Sequence, residues 1–144
     1  MREILFKAKR KNWRELPKEE WWVEGYPVKY QPCASKEEWI YGIVPTYASA
    51  LYIIEIDPET LCQYTGKPDE DGKKIFEGDI VGFIDLYSTE SGYSESSCLG
   101  EVIWSKEECC FHVTNRLSAE SWEVLDECKV SGNVFDNKEL LDEL

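Results

Sequence analysis

The chain has 144 residues, of which 42% are hydrophobic and 13% aromatic, and its formal net charge is −13. This length suits one ordinary domain or two small ones, and this composition excludes an intrinsically disordered chain. Apolar runs are of strand length and fall short of the ~20 residues that span a bilayer. The first residues also lack the apolar core of a signal peptide, so we expect an intracellular protein.

The charge is divided unevenly along the chain. Residues 1–74 hold 12 basic and 13 acidic side chains, a net of −1, whereas residues 75–144 hold 4 basic and 16 acidic side chains, a net of −12. A field of this sign repels nucleic acids and anionic membranes. It favours a basic protein partner, or it serves solubility alone.

The chain has six cysteines and one histidine, His112, as potential thiolate and imidazole ligands for a metal ion. No two cysteines form a C-x-x-C pair, and the paired spacings of the known zinc sites are missing. In an intracellular chain free thiols are expected, and buried free cysteines act as small hydrophobic residues. The sequence therefore predicts no metal and no cofactor.

The first half of the chain has the pattern of β-strands. Strands are predicted at 4–9 and 21–30, joined by a long polar hairpin loop, and again in the β-branched and aromatic segments 38–44 and 50–56. Asp57 before Pro58 predicts a single helical turn after them, with Asp57 as its cap.

The stretch 69–72, Asp-Glu-Asp-Gly, has the acidic and glycine content of a calcium loop but not its spacing. Counted from Asp69, Gly72 is at position 4 and Ile80 at position 12, where an EF-hand needs glycine at 6 and glutamate at 12. Asp71-Gly72 is instead typical of a tight turn. Gly78 is expected to kink the chain before the next strand.

The second half is predicted to be β-structure that ends in a short helix. Strands are expected at 80–86, 101–105, 109–115 and 123–135, with a serine-rich loop over 87–100. Asp136 and Glu139 have the spacing of a capping box, which predicts a terminal helix. The apolar face of that helix would comprise Leu140, Leu141 and Leu144.

Several of these segments together resemble the YopX family of phage and prophage proteins. The resemblance rests on MREILFKAKRKNW, WWVEGY, IDPETLCQYTGKPDEDGKKIFEGDIV, GEVIW and VSGNVFDNKELL, in that order along nearly the whole chain. It implies a mainly β fold in two parts and a life inside an infected or lysogenic bacterium. It implies no known catalytic residues, because the family is known for proteins of undetermined function.

Candidate catalytic groups have simpler structural interpretations. Cys110 and His112 fall on one face of a strand and could form a dyad, but members of catalytic triads usually come from separate elements. Asp57 and Asp79 fit capping and turn positions. Glu59 and Glu77 lie in the same segment of the chain, where carboxylates are so abundant that some pair will be close by chance alone. We therefore expect no enzymatic activity.

The basic front end offers a candidate interaction surface. Basic residues with interleaved tryptophans can follow a phosphate backbone and stack bases. The alternative is a solvated hairpin loop with a core tryptophan, and the acidic field of the chain favours it. The surface comprises Lys9, Arg10, Lys11, Trp13, Trp21 and Trp22.

The sequence thus predicts a mainly β protein with an N-terminal β unit and connector (1–72) and a C-terminal SH3-like small barrel with a short terminal helix (73–144). The predicted function is a non-enzymatic module, in the cytoplasm of the bacterial host, that binds a host or phage protein or a second copy of itself. Two alternatives stay open. One is an acidic nucleic-acid mimic that inhibits a host DNA-binding protein, and the other is nucleic-acid binding by the basic front end.

Overall fold

The computed structural model describes residues 3–32, 38–47, 52–114, 121–123 and 127–142, and within them eleven strands and one short α-helix. The prediction of a mainly β fold is confirmed. The strands are β1 Phe6–Lys9, β2 Trp22–Tyr30, β3 Ile40–Pro45, β4 Ile54–Glu55, β5 Cys62–Pro68, β6 Lys74–Phe76, β7 Asp79–Thr89, β8 Gly92–Ser105, β9 Cys110–Thr114, β10 Ser121–Glu123 and β11 Lys129–Asn133, and the helix is α1 Glu139–Asp142.

Two antiparallel sheets hold these strands, in the orders β4-β3-β2-β1-β5-β6 and β10-β9-β8-β7-β11. The chain divides into two compact units, Met1–Tyr64 and Thr65–Leu144, whereas the sequence placed the boundary after residue 72. Neither sheet closes on itself within the described residues, so the prediction of an SH3-like barrel is not confirmed.

The core of the first unit lies on one face of β1 to β4. Small and β-branched side chains fill it: Ala8, Val23, Ile43, Ile54 and Ile56, with Phe6 and Leu61 at its margin. Gly25 allows β2 and β3 to approach closely, because a Cβ there would lie 2.0 Å from the Val44 carbonyl oxygen.

Backbone hydrogen bonds also join the end of β1 to the segment around β4. Lys11 N–H donates to the Glu55 carbonyl (3.0 Å), and Asp57 N–H donates to the Lys9 carbonyl (2.9 Å). These hydrogen bonds pair N–H and C=O groups that would be unpaired if the end of β1 lay at an open edge of the sheet. The helical turn predicted next is present as a 3-10 helix, Pro58–Thr60, with Asp57 Oδ1 accepting from Glu59 N–H (3.2 Å).

The second unit is built on the long hairpin of β7 and β8. Its core consists of Ile75, Val81, Phe83, Val102, Val113 and Cys128. The predicted kink before β7 is confirmed, because Gly78 has a φ of 86°. Asp79 is 2% exposed, and its Oδ2 accepts from Phe76 N–H (2.8 Å), which secures this turn.

The predicted loop over 87–100 is wrong, because these residues continue β7 to Thr89 and form the first part of β8. The many serines suggested a loop, but Cys98, Gly100 and Val102 alternate toward the core in strand fashion. Cys98 packs against the core cluster, and Val102 is a member of it. Pairing with β7 therefore determines the structure of this segment more strongly than its local serine-rich composition does.

Two further predictions need correction. The segment up to residue 72, predicted to be a connector, contains strand β5, which pairs with β1. The sequence did not predict this strand because glycine and proline, here Gly66 and Pro68, are rare in strands. Asp136 does not cap the terminal helix, since α1 begins only at Glu139 and Asp136 Oδ2 accepts from Asn133 Nδ2 (3.2 Å). Leu141 of α1 is buried, as predicted. Leu144 lies outside the described residues.

The five cysteines within the described residues, which exclude Cys33, are all free thiols. The one described α-helix, of four residues, is too short to cross a bilayer.

Candidate functional site

The loop between β1 and β2 is ordered by two 3-10 helices, Trp13–Glu15 and Lys18–Glu20. Arg10 N–H donates to the Trp21 carbonyl (2.9 Å), so the loop closes just beyond the last strand pair, Lys9 with Trp22. This closure gathers Trp13, Trp21 and Trp22 at one end of the sheet.

The three indoles surround the ammonium group of Lys9. Its Nζ lies 3.9 Å from the ring centroid of Trp13, 4.5 Å from that of Trp21 and 5.6 Å from that of Trp22. Trp13 and Trp21 meet edge to face at 4.9 Å, and Trp21 Nε1 donates to the Leu16 carbonyl (2.8 Å). Cation–π attraction is strongest where the cation is desolvated, and Lys9 is only 2% exposed. We call this arrangement the tryptophan–lysine cluster.

The structure thus brings four of the six predicted surface residues into one cluster and leaves the other two beside it. Arg10 Nε donates to the Glu20 carbonyl (2.9 Å). Lys11 Nζ forms an ion pair with Glu55 Oε2 (3.2 Å), with its side chain 72% exposed. Arg10 and Lys11 therefore remain at the surface, whereas the charge of Lys9 is enclosed by indoles.

Next to the cluster lies an open depression of about 1020 Å³, which we call the loop depression. Three cations and three carboxylates lie along it, so its lining has no net charge. Two large apolar side chains at its rim face solvent, Tyr52 (56% exposed) and Ile53 (37% exposed). The lining comprises Arg10, Lys11, Asn12, Arg14, Glu15, Leu16, Glu20, Tyr52, Ile53, Ile54 and Glu55.

Sequence reasoning missed the contribution of the segment before β4 to this surface. Tyr52 and Ile53 lie in the segment 50–56, which was predicted to be a strand, but in the structure β4 begins only at Ile54. The pairing of Arg10 with Ile56 brings the run beside the β1–β2 loop. No local pattern signals that long-range pairing.

The second unit holds a cluster of three potential ligands around His112. Its Nε2 lies 3.0 Å from Cys110 Sγ and 2.9 Å from Glu108 Oε2. The predicted contact of Cys110 with His112 on one strand face is confirmed. Glu108 was missed because it lies in the turn before β9, where Cys109 has a positive φ of 54° and strand alternation does not apply. The donor atoms of Glu108, Cys110 and His112 lie within 4.8 Å of one another, close enough to hold a metal ion. Among the described residues, no other group of three such side chains is this close.

Other carboxylates considered in the sequence analysis accept hydrogen bonds from backbone N–H groups. Asp57 caps a helical turn and Asp79 secures the turn before β7. Asp69 is 6% exposed and accepts three N–H groups, from Asp71 (2.9 Å), Lys73 (2.9 Å) and Val130 (3.0 Å). The Val130 N–H in particular holds the pKa of this carboxyl below its usual value, against the opposing effect of burial.

No curated protein matches this chain significantly. The family model described as YopX protein matches residues 18–142, which include the tryptophans at 21 and 22, strands β2 to β11 and the terminal helix. The chain belongs to the YopX family.

Proposed function

We propose that this protein is a non-enzymatic accessory protein, encoded by a phage or prophage, that binds another protein in the loop depression of its first unit. The observation that carries the proposal is the exposure of Tyr52 and Ile53 beside Arg10 and Arg14. Tyrosine, tryptophan and arginine are enriched in protein–protein interfaces, where a few such anchors supply most of the binding energy.

The surroundings of the depression favour a rigid binding surface. The β1–β2 loop is fixed by the tryptophan–lysine cluster and by the bond from Trp21 Nε1 to the Leu16 carbonyl. Arg14 lies over Trp13, with its guanidinium carbon 4.4 Å from the ring centroid. A loop that is ordered before binding loses less conformational entropy when a partner docks.

Charge distinguishes this proposal from nucleic-acid binding. The lining of the depression is neutral, and the ammonium of Lys9 is enclosed by indoles rather than offered to phosphate. Residues 65–144 hold 7 basic and 19 acidic side chains, a net of −12. A field of that sign opposes a polyanion and attracts a basic protein.

The same net charge supports acidic mimicry of nucleic acid as the second candidate. A mimic would bind the basic groove of a DNA-binding protein through its second unit. Its complex would weaken steeply with salt and would be displaced by DNA. Binding that survives raised salt and excess DNA favours the loop depression instead.

We also propose that the second unit is an SH3-like barrel. The support is its strand order, in which β7 to β10 form a meander and the fifth strand, β11, pairs with β7. This is the strand order of SH3-like folds. Likeness of fold carries no function by itself, so the binding proposal does not depend on it.

A pair of exposed tyrosines allows a controlled test in the bacterium that carries the gene. A photo-reactive phenylalanine analogue replaces Tyr52 at the depression or Tyr93 (86% exposed) in the second unit. We expect one protein to be cross-linked from position 52 and not from position 93, with Ile53→Ser lowering the yield. A product of twice the chain mass identifies a second copy as the partner. Equal yields from both positions, or no product from either, overturn the proposal.

A further inference from the structure

The cluster at the start of β9 brings two electron-rich groups to a single nitrogen atom. Glu108 Oε2 and Cys110 Sγ lie 2.9 Å and 3.0 Å from the same His112 Nε2. An imidazole nitrogen carries either one hydrogen or one lone pair, and an ionised carboxylate can only accept. The nitrogen therefore offers one hydrogen to two neighbours, whereas a cation would take a lone pair from all three atoms.

The distances suit a small transition-metal ion. Zinc binds nitrogen and carboxylate oxygen at about 2.0–2.2 Å and sulfur at about 2.3 Å, so ligand atoms at tetrahedral angles lie roughly 3.4–3.6 Å apart. All three donor atoms lie within 4.8 Å of one another. Coordination would lengthen the two short distances by about half an ångström and would place the Glu108 and Cys110 donor atoms, now within 4.8 Å, roughly 3.6 Å apart. Rotation about the side-chain torsions of Glu108 and Cys110 can supply these changes.

The backbone divides the cluster into a rigid part and an adaptable part. Cys110 and His112 belong to β9, where they pair with Ser105 and Ile103 of β8, and the imidazole is largely buried. Glu108 comes from the turn before β9, and its side chain is 64% exposed. The exposed carboxylate can therefore move aside to admit an ion from solvent, and a small torsional change at Cys110 completes the site.

We propose that Glu108, Cys110 and His112 form a zinc site with three protein ligands and a fourth position left to water. The mixed nitrogen, sulfur and oxygen donors match the borderline preference of Zn²⁺. Calcium and magnesium prefer oxygen donors only. This site lies in the second unit and is independent of the proposed function of the loop depression.

Neighbouring residues of the same types provide matched controls. Glu107 and Cys109 are exposed and lie next to two of the ligands. Untagged, reduced protein is titrated with Zn²⁺ against a chromophoric chelator, as wild type and as Glu108→Gln, Cys110→Ser, Glu107→Gln and Cys109→Ser. Circular dichroism verifies that each variant is folded.

We expect one equivalent of Zn²⁺ to bind to the wild type and to both control variants. The two ligand variants should lose at least about 100-fold in affinity, because even the loss of an outer-shell partner costs 10–100-fold. Co²⁺ in place of Zn²⁺ should show a thiolate charge-transfer band that Cys110→Ser abolishes and Cys109→Ser keeps. No binding by the wild type, or equal losses in ligand and control variants, overturns the proposal.

Discussion

Replacing Asp69 with Asn tests whether one buried carboxylate organises the turn between β5 and β6. The substitution keeps the size of the side chain but exchanges one acceptor oxygen for an NH₂ group. In the wild type, three backbone N–H groups donate hydrogen bonds to the Asp69 carboxylate. In the variant, at least one of these N–H groups must face the NH₂ group of the asparagine, which is itself a donor. An unsatisfied buried donor costs about 1–3 kcal/mol, so Asp69→Asn should lower the free energy of unfolding by that amount at neutral pH. Asp69→Ala, which removes all three acceptor contacts, should cost about 2–4 kcal/mol.

The pH dependence follows from the lowered pKa of the Asp69 carboxyl in the folded chain. A group whose pKa is lower when folded stabilises the fold above its unfolded pKa, here 3.8, and this contribution is lost as the pH falls through the folded value. The difference between wild type and Asp69→Asn should therefore be constant near neutrality and shrink below the ordinary carboxyl pKa.

Urea unfolding at pH 7 and at acidic pH measures both effects, with hydrogen exchange of the Val130 amide as a local readout. Asp71→Asn is the matched control, since it removes an exposed charge from the same turn and should change stability by no more than about 0.5 kcal/mol. Equal effects of the two substitutions, or a difference that does not vary with pH, would refute the role assigned to Asp69.

Two further predictions concern the stability of the first unit, measured by urea unfolding. Thr60 Oγ1 accepts from the buried Lys9 N–H (2.8 Å), so Thr60→Val should cost about 1–3 kcal/mol while Thr60→Ser keeps the bond; equal losses would contradict this. Gly25→Ala should cost about 3 kcal/mol, because its Cβ would meet the Val44 carbonyl oxygen at 2.0 Å. Gly72→Ala meets open space and should cost only about 1–2 kcal/mol for its positive φ of 84°; a larger loss than at Gly25 would contradict the steric argument.

Local chemistry was predictable from the sequence where a few neighbouring residues decide it. Asp57 with Pro58 predicted a capped turn, and Gly78 predicted a kink before β7; the structure confirms both, the kink through the positive φ of Gly78. The strand that continues through the serines of residues 94–97 depends on its partner β7, and no local propensity determines that pairing. The local composition therefore predicted a loop, whereas pairing between β7 and β8 forms a hairpin.

The candidate sites show the same division between local and long-range information. The contact between Cys110 and His112 follows from the two-residue period of one strand, so the sequence could place it. The loop depression requires Arg10 to pair with Ile56 across more than forty residues, and no pattern in either segment reveals that pairing. The enclosure of Lys9 also depends on how the β1–β2 loop folds back, which is why a basic residue could be assigned to an exposed surface.

In the proposed binding of a protein partner, contacts in the loop depression and the net charge of the second unit would have different roles. Surface charges act over about 8–10 Å at physiological ionic strength, so the net charge of the second unit acts mainly on the encounter with a partner. Contacts made by buried aromatic and aliphatic anchors instead set the lifetime of a complex, because interface substitutions act mostly on dissociation. In the proposed interface, Tyr52 and Ile53 would supply such anchors, with Arg14 over the ring of Trp13 beside them. A basic partner would therefore be attracted by the acidic residues and retained by the loop depression, whereas a DNA mimic would need the acidic residues for both steps.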